Sequence, residues 1–177
     1  MPAVLSRVEQ VRSFRRASTK AATRDNAAFQ TVFAEDRQPD TNYLAIPKTS
    51  SERRQFVPIG FLDRSVVVAS ELFTIQNASP FHFGILSSTM HNAWIRYVCG
   101  RLKSDYRYSA GIVYNNFPWP DLASAASATT EAESPAQTRD AKLRAGIETA
   151  AQGVLDARAA HPESSLADLY DPVTMPP

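Results

Sequence analysis

Residues 79–109 read SPFHFGILSSTMHNAWIRYVCGRLKSDYRYS, and the change of pattern inside this stretch decides the fold. Ser79 and Pro80 supply a cap and a first-turn proline for a helix. Leu86, Met90, Trp94 and Val98 recur every four residues and predict its buried face. Gly100 fits the terminating position. A helix is therefore predicted over 80–99, ending where RLKSDYRYS begins, so that this segment is held firmly in place. From Arg101 to Pro120 the cations Arg101, Lys103 and Arg107 interleave with Tyr106, Tyr108 and Tyr114, while Asp105 and Ser109 can hydrogen-bond. That mixture suits a surface that lies on a nucleic acid and reads it. An ordinary polar loop closing a domain is the other reading.

Upstream, residues 29–76 predict strands. Phe29 to Phe33, Asn42 to Ile46, Phe56 to Ile59, Val66 to Ala69 and Leu72 to Ile75 are short runs of β-branched and aromatic residues. The turns between them suit antiparallel pairing. The turn from Ser50 to Arg54 joins hydroxyls to two guanidiniums, a composition for phosphate contact or for a charged hairpin tip. The first 24 residues predict one helix. Val4, Val8, Val11 and Phe14 lie on one side, and Arg12, Arg16, Lys20 and Arg24 form a basic ladder on the other. Four like charges at that spacing repel, which an anion alongside would relieve. A plain solvated face is the alternative.

Downstream, Phe117 and Trp119 with their two prolines predict a rigid exit from the domain. Residues 121–138 are rich in Ala, Ser and Thr and read as a linker or surface excursion. Residues 139–161 predict a helix with a stripe of Leu143, Ile147, Ala151, Val154 and Leu155, ended by Pro162. A short helical turn and an extended end follow, and the final Met-Pro-Pro suggests a chain cut from something longer. The fold expected is α+β: a small mixed or antiparallel sheet flanked by helices, then a mostly helical tail.

The 177 residues carry a net charge of only +1. Residues 1–120 hold fifteen Lys/Arg against nine Asp/Glu, a net +6, and residues 121–177 hold four against nine, a net −5. A basic body with an acidic tail predicts that the body meets a polyanion. No apolar run approaches membrane-spanning length, and no secretory signal is visible, so a cytoplasmic place with no membrane partner is expected. Cys99 is the one cysteine, which excludes an internal disulfide. His82, His91 and His161 lack metal-ligand spacing and read as structural. GxGxxG, GxxxxGK[ST] and GxSxG are all missing. Asn116 is followed by Phe117 where an amino-group methyltransferase would carry a double proline. The chain is expected to hold no catalytic residue, cofactor or metal of its own.

The strings RVEQVRSFR, YLAIPKTSSERRQFVPIGFL, FGILSSTMHNAWIRYVCGRLKSDYRYS, VYNNFPWP and SLADLYDPVTMPP resemble the C-terminal part of the large MmeI-like proteins. These are single-chain type II restriction–modification enzymes and related DNA adenine methyltransferases. The resemblance implies a DNA target-recognition domain over 1–120, a linker over 121–138 and a helical C-terminal segment over 139–177. It further implies double-stranded DNA and a methyltransferase domain as partners. S-adenosylmethionine, and a divalent metal where the parent has a nuclease, would bind outside this chain.

In that family the two positions flanking the serine of a segment like Lys103-Ser104-Asp105 look like specificity positions. The chemistry agrees, because lysine donates to guanine and a carboxylate accepts from the paired cytosine. An intramolecular Lys–Asp contact is the competing reading. Arg101 and Arg107 are the nearest candidate phosphate contacts, with Arg12, Arg16, Lys20, Arg53 and Arg54 behind them. Tyr106 and Tyr108 fit either sugars or the core. Ser87, Ser88 and His91 fit either the groove or plain helix surface. The rival functions are a free-standing DNA-binding protein and a protein-interaction module, both without a catalytic partner.

Overall fold

The computed structural model describes residues 1–122 and 135–176. Most of the expected linker lies outside them. The chain forms two compact units, residues 1–38 and 39–177.

In the first unit, α1 (Pro2–Arg16) and α2 (Ala21–Asp25) precede a 3-10 turn at Asn26–Ala28. The single helix predicted over 2–24 is therefore broken. Ala17 caps α1, and Lys20 is already the extended N-cap of α2. The break uses Arg24, which donates to the carbonyls of Ser18 and Thr19, both at 2.9 Å. The strand expected at 29–33 is absent as well. Arg15 donates to the carbonyls of Asn26 (2.9 Å), Phe29 (2.7 Å) and Val32 (2.8 Å), so this segment curls around a guanidinium.

The second unit is α+β, with two small sheets. The first has the order β3-β1-β4, from β1 (Tyr43–Pro47), β3 (Gly60–Leu62) and β4 (Leu72–Gln76). The second has the order β2-β6-β5, from β2 (Thr49–Ser50), β5 (Gly100–Leu102) and β6 (Asp105–Arg107). Among the described residues the strand pairings within these sheets are antiparallel. Two of the five predicted strands, at 43–47 and 72–76, are present.

The run at 56–59 is buried at Val57 and Ile59 but is not a strand. Its backbone groups are met by side chains instead. Arg96 donates to the Gln55 carbonyl (2.7 Å), Asn92 Oδ1 accepts from the Val57 amide (2.9 Å), and Arg158 donates to the Ile59 carbonyl (2.8 Å). Buried backbone needs partners, and side chains serve as well as a neighbouring strand. Residues 66–69 are also irregular, with Val67 exposed, and the Tyr43 hydroxyl donates to the Val66 carbonyl at 2.8 Å.

The helix predicted over 80–99 is two helices, α3 (Pro80–Ser87) and α4 (Thr89–Val98). Ser88 is extended between them, and its hydroxyl accepts from the His91 amide at 3.1 Å. Ser87, Ser88 and Thr89 in a row offer the backbone local alternatives to the helix, and Ser88 restarts it as a cap. The break shifts the buried face. Leu86 is enclosed, but Met90 is exposed, and His91, Asn92 and Ile95 take the inner positions. Gly100 does not end α4 in a left-handed turn; Cys99 is an extended cap and Gly100 opens β5.

Helix α5 (Pro135–Ala159) packs on α3 at Gly84. A Cβ on Gly84 would stand 2.8 Å from Ile147 Cγ2 and 3.1 Å from the Ile147 carbonyl oxygen, so glycine sets the approach of the two helices. Ala151 is buried here, whereas Leu143 and Val154 of the predicted stripe are exposed. The packed line includes two arginines: Arg144 lies over Phe81 (4.3 Å) and Arg158 over Phe83 (4.8 Å). The core joins Leu44, Ile46, Ile59, Phe83, Leu86, Ile95, Tyr106, Tyr108 and Val113. No helix among the described residues is long and apolar enough to cross a membrane.

Candidate nucleic-acid interface

Strands β5 and β6 form a hairpin whose last pair is Leu102 with Asp105. Lys103 and Ser104 are the two residues of the turn. Lys103 has a φ of 57°. A left-handed first position alone is the pattern of a type II′ turn, where glycine is preferred. A lysine there is held against its backbone preference at a cost of about 1–3 kcal/mol, and such strain concentrates at functional sites.

Strand alternation then sorts the candidates. Tyr106 and Tyr108 point into the core at 9% and 3% exposure. Tyr106 is opposite Ser50 on one side and Arg101 on the other. The Tyr108 hydroxyl sits 3.1 Å from His91 Nε2, and the Tyr108 amide donates to the Lys48 carbonyl at 2.8 Å. Both tyrosines are therefore core residues, and so is His91. Burial lowers the His91 pKa to about 4 and raises that of the Tyr108 hydroxyl, so both are neutral at pH 7. Asp105 and Arg107 fall on the alternate face and are half-buried, while Lys103 at the tip is exposed.

The surrounding charges are organised about the hairpin. Arg107 donates to Thr49 Oγ1 at 2.9 Å and pairs with Glu71 at 3.4 Å. Arg101 donates to the Ser104 carbonyl at 2.8 Å, stacks 4.2 Å above the Tyr106 ring and lies 3.7 Å from Glu52. Glu52 belongs to the turn leaving β2, so the 50–54 turn borders the hairpin. In that turn Arg53 is exposed, and Arg54 is half-buried with a sequestered, unpartnered Nε. Arg54 also contributes to lowering the pKa of Asp168, after the larger effect of the Ser165 hydrogen bonds.

Lys103, Asp105, Arg101, Arg107, Arg53 and Arg54 thus share the neighbourhood of the second sheet. Arg12, Arg16 and Lys20 belong to the first unit. They do not form the predicted ladder, because Lys20 has left α1 and Arg12 is paired with Glu9 at 2.8 Å.

An aromatic cluster packs around His91, which itself contacts Tyr108 at the end of the hairpin. Phe117 packs edge-on against His91 (4.5 Å) and Trp119 (5.6 Å). Trp94 Nε1 donates to the Val113 carbonyl of the π-helical turn Ala110–Tyr114 at 3.0 Å. Phe117 and Trp119 of the FPWP segment therefore pack into the second unit. His82 closes a capping box, with its Nδ1 accepting from the Ser79 amide at 3.1 Å. Among the described residues no group of His, Cys, Asp and Glu could hold a metal ion.

Comparison with known proteins settles the family. The family model of the MmeI target recognition domain matches residues 1–121, and that of the MmeI C-terminal domain matches residues 138–177. The chain belongs to the MmeI target-recognition family.

Within that family, DNA methyltransferase A of Bacillus subtilis (strain 168) is 34% identical over 176 residues, covering 99% of this chain and 18% of its own length. A solved structure of the type IIL restriction–modification enzyme MmeI in complex with DNA is 48% identical. It superposes with a TM-score of 0.83, over 99% of this chain and 21% of that one. The chain spans about a fifth of the length of these relatives.

Proposed function

We propose that this chain reads DNA sequence for a methyltransferase-type restriction–modification enzyme. Residues 1–120 act as the target-recognition domain, 121–138 as a connection and 139–177 as a helical C-terminal support. The chemistry, transfer of a methyl group from S-adenosylmethionine to a target adenine, belongs to a domain outside this chain. Such an enzyme works on a base taken out of the stack, so the reader must grip the duplex firmly while the base is held elsewhere. Cytoplasmic DNA is the partner that fits.

The observation that carries this reading is the strained hairpin tip. A two-stranded ribbon fits the major groove, and here it presents Lys103 and Asp105. Lys103 donates to the guanine acceptors and Asp105 accepts from the cytosine amino group, so the pair reads one G·C step, with discrimination of about 1–3 kcal/mol. Arg107, Arg53 and Arg54 supply nearby phosphate contacts, and Arg12, Arg16 and Lys20 supply further ones from the first unit. Phosphate contacts give grip without sequence information.

Selection of bound duplexes from a randomised pool at low salt tests the reading. Enrichment of a short motif with a fixed G·C pair is expected. Binding without any enrichment would reduce the chain to a non-specific clamp.

A further inference from the structure

The geometry points to Arg101 as a positioning residue for base choice, in place of the phosphate contact its charge suggests. This rests on the base-reading role proposed for Lys103 and Asp105. The guanidinium already has three partners within the chain. It donates to the Ser104 carbonyl at 2.8 Å, lies over the Tyr106 ring at 4.2 Å, and faces the Glu52 carboxylate at 3.7 Å. One partner is turn backbone, one is a buried anchor of β6 and one belongs to the adjoining 50–54 turn.

Each contact uses a different property of arginine. One N–H of the guanidinium fixes the Ser104 carbonyl, the flat face stacks on the tyrosine, and the charge meets Glu52. The turn that it fixes has Lys103 at a φ of 57°, a conformation a lysine does not choose unaided. Arg101 and Tyr106 are also directly opposite across the hairpin, so stacking reinforces the strand pairing next to the tip. Arg101 thus transmits the rigidity of the core, through Tyr106, to the backbone that aims Lys103 and starts Asp105. A lysine at 101 would keep the charge but would lose the flat face that stacks on Tyr106 while a second edge holds Ser104.

The test compares Arg101→Lys and Arg101→Ala in the intact protein, measuring binding to duplexes that differ only at the base pair read by the hairpin, over a range of salt. In both variants discrimination between the bases is expected to fall by roughly tenfold, the size of one lost base-specific contact. The slope of log affinity against log salt is expected to stay unchanged. A phosphate contact would behave in the opposite way: Arg101→Ala would flatten the slope by about one unit, Arg101→Lys would restore it, and discrimination would survive. That result overturns the proposal.

Backbone amide relaxation of Ser104 and Asp105 in the free protein separates the clamping of the turn from the base-reading role. If the tip gains mobility in both variants while the parent shows no base preference at this pair, the base-reading role fails but the clamp stands. If the tip stays rigid, the clamp itself is refuted.

Discussion

Arg158 donates to the Ile59 carbonyl in the body of the second unit, and Arg101 donates to the Ser104 carbonyl at the hairpin tip. Both guanidiniums also lie over aromatic rings, Phe83 and Tyr170 for Arg158 and Tyr106 for Arg101. Each holds a stretch of backbone that no strand partner holds. Their surroundings differ. Arg158 is half-buried among core rings and reaches the Tyr170 hydroxyl as well, whereas the Arg101 side chain is 41% exposed and faces a carboxylate across solvent. The same device therefore secures the fold in one place and the aim of a loop in the other. Desolvation sets the difference, because a charged hydrogen bond gains strength as water is excluded.

Arg158→Ala should break this comparison most visibly. It strands the Ile59 carbonyl and removes two ring contacts, so chemical denaturation should show a loss of about 3 kcal/mol. A loss below about 1 kcal/mol would mean that α5 and the 55–59 segment are held by apolar packing alone. Gly84→Ala attacks the same body by overpacking. With Ile147 already at 2.8 Å from the added Cβ, the melting transition should report about 1–3 kcal/mol of destabilisation.

Acidification attacks it through His91. The folded pKa lies near 4, below the ordinary 6.5, because the ring is buried. The unfolded chain therefore binds the extra proton over that window. Stability is complete above pH 6.5 and falls as the pH drops towards 4. Between pH 7 and pH 5 the loss from this group should be about 2 kcal/mol, and a His91→Gln variant should show a flatter pH profile.

At the hairpin the effects on stability are small. Arg101→Ala should cost about 1 kcal/mol or less in the same denaturation experiment, since the guanidinium and the Glu52 carboxylate it faces are both exposed to solvent. Lys103→Gly should raise stability slightly, by about 0.5 kcal/mol, because glycine accepts a positive φ without strain. It should also abolish base preference at the pair that the hairpin reads. A glycine variant that is less stable than the parent would show that the lysine side chain, and not its backbone strain, dominates at the tip.

The sequence singled out the 101–109 segment by its chemistry but did not show its structure. Alternation of cation and aromatic in RLKSDYRYS marked the candidate reading element, but a strand of three residues is too short to register as a period-2 run, so β5 and β6 are not legible in the sequence. The left-handed Lys103 was hidden because lysine carries no turn signal. In the body, the fourfold recurrence of Leu86, Met90, Trp94 and Val98 suggested one helix, and the signal for its interruption was the Ser87-Ser88-Thr89 run. The run Phe56 to Ile59 looked like a strand because it is rich in aromatic and β-branched residues. Burial and β-rich composition do not distinguish a strand from backbone satisfied by Asn92, Arg96 and Arg158. The arginines of the α5 packing line were invisible to a search for apolar periodicity, although their stems and flat heads cover Phe81 and Phe83 as an apolar residue would.

The most direct test of the central claim is a second selection from the randomised duplex pool with Lys103→Glu and Asp105→Arg exchanged together. One position of the enriched motif is expected to change its preferred base while the rest of the motif persists. Uniform loss of binding at every sequence, or an unchanged motif, would contradict it.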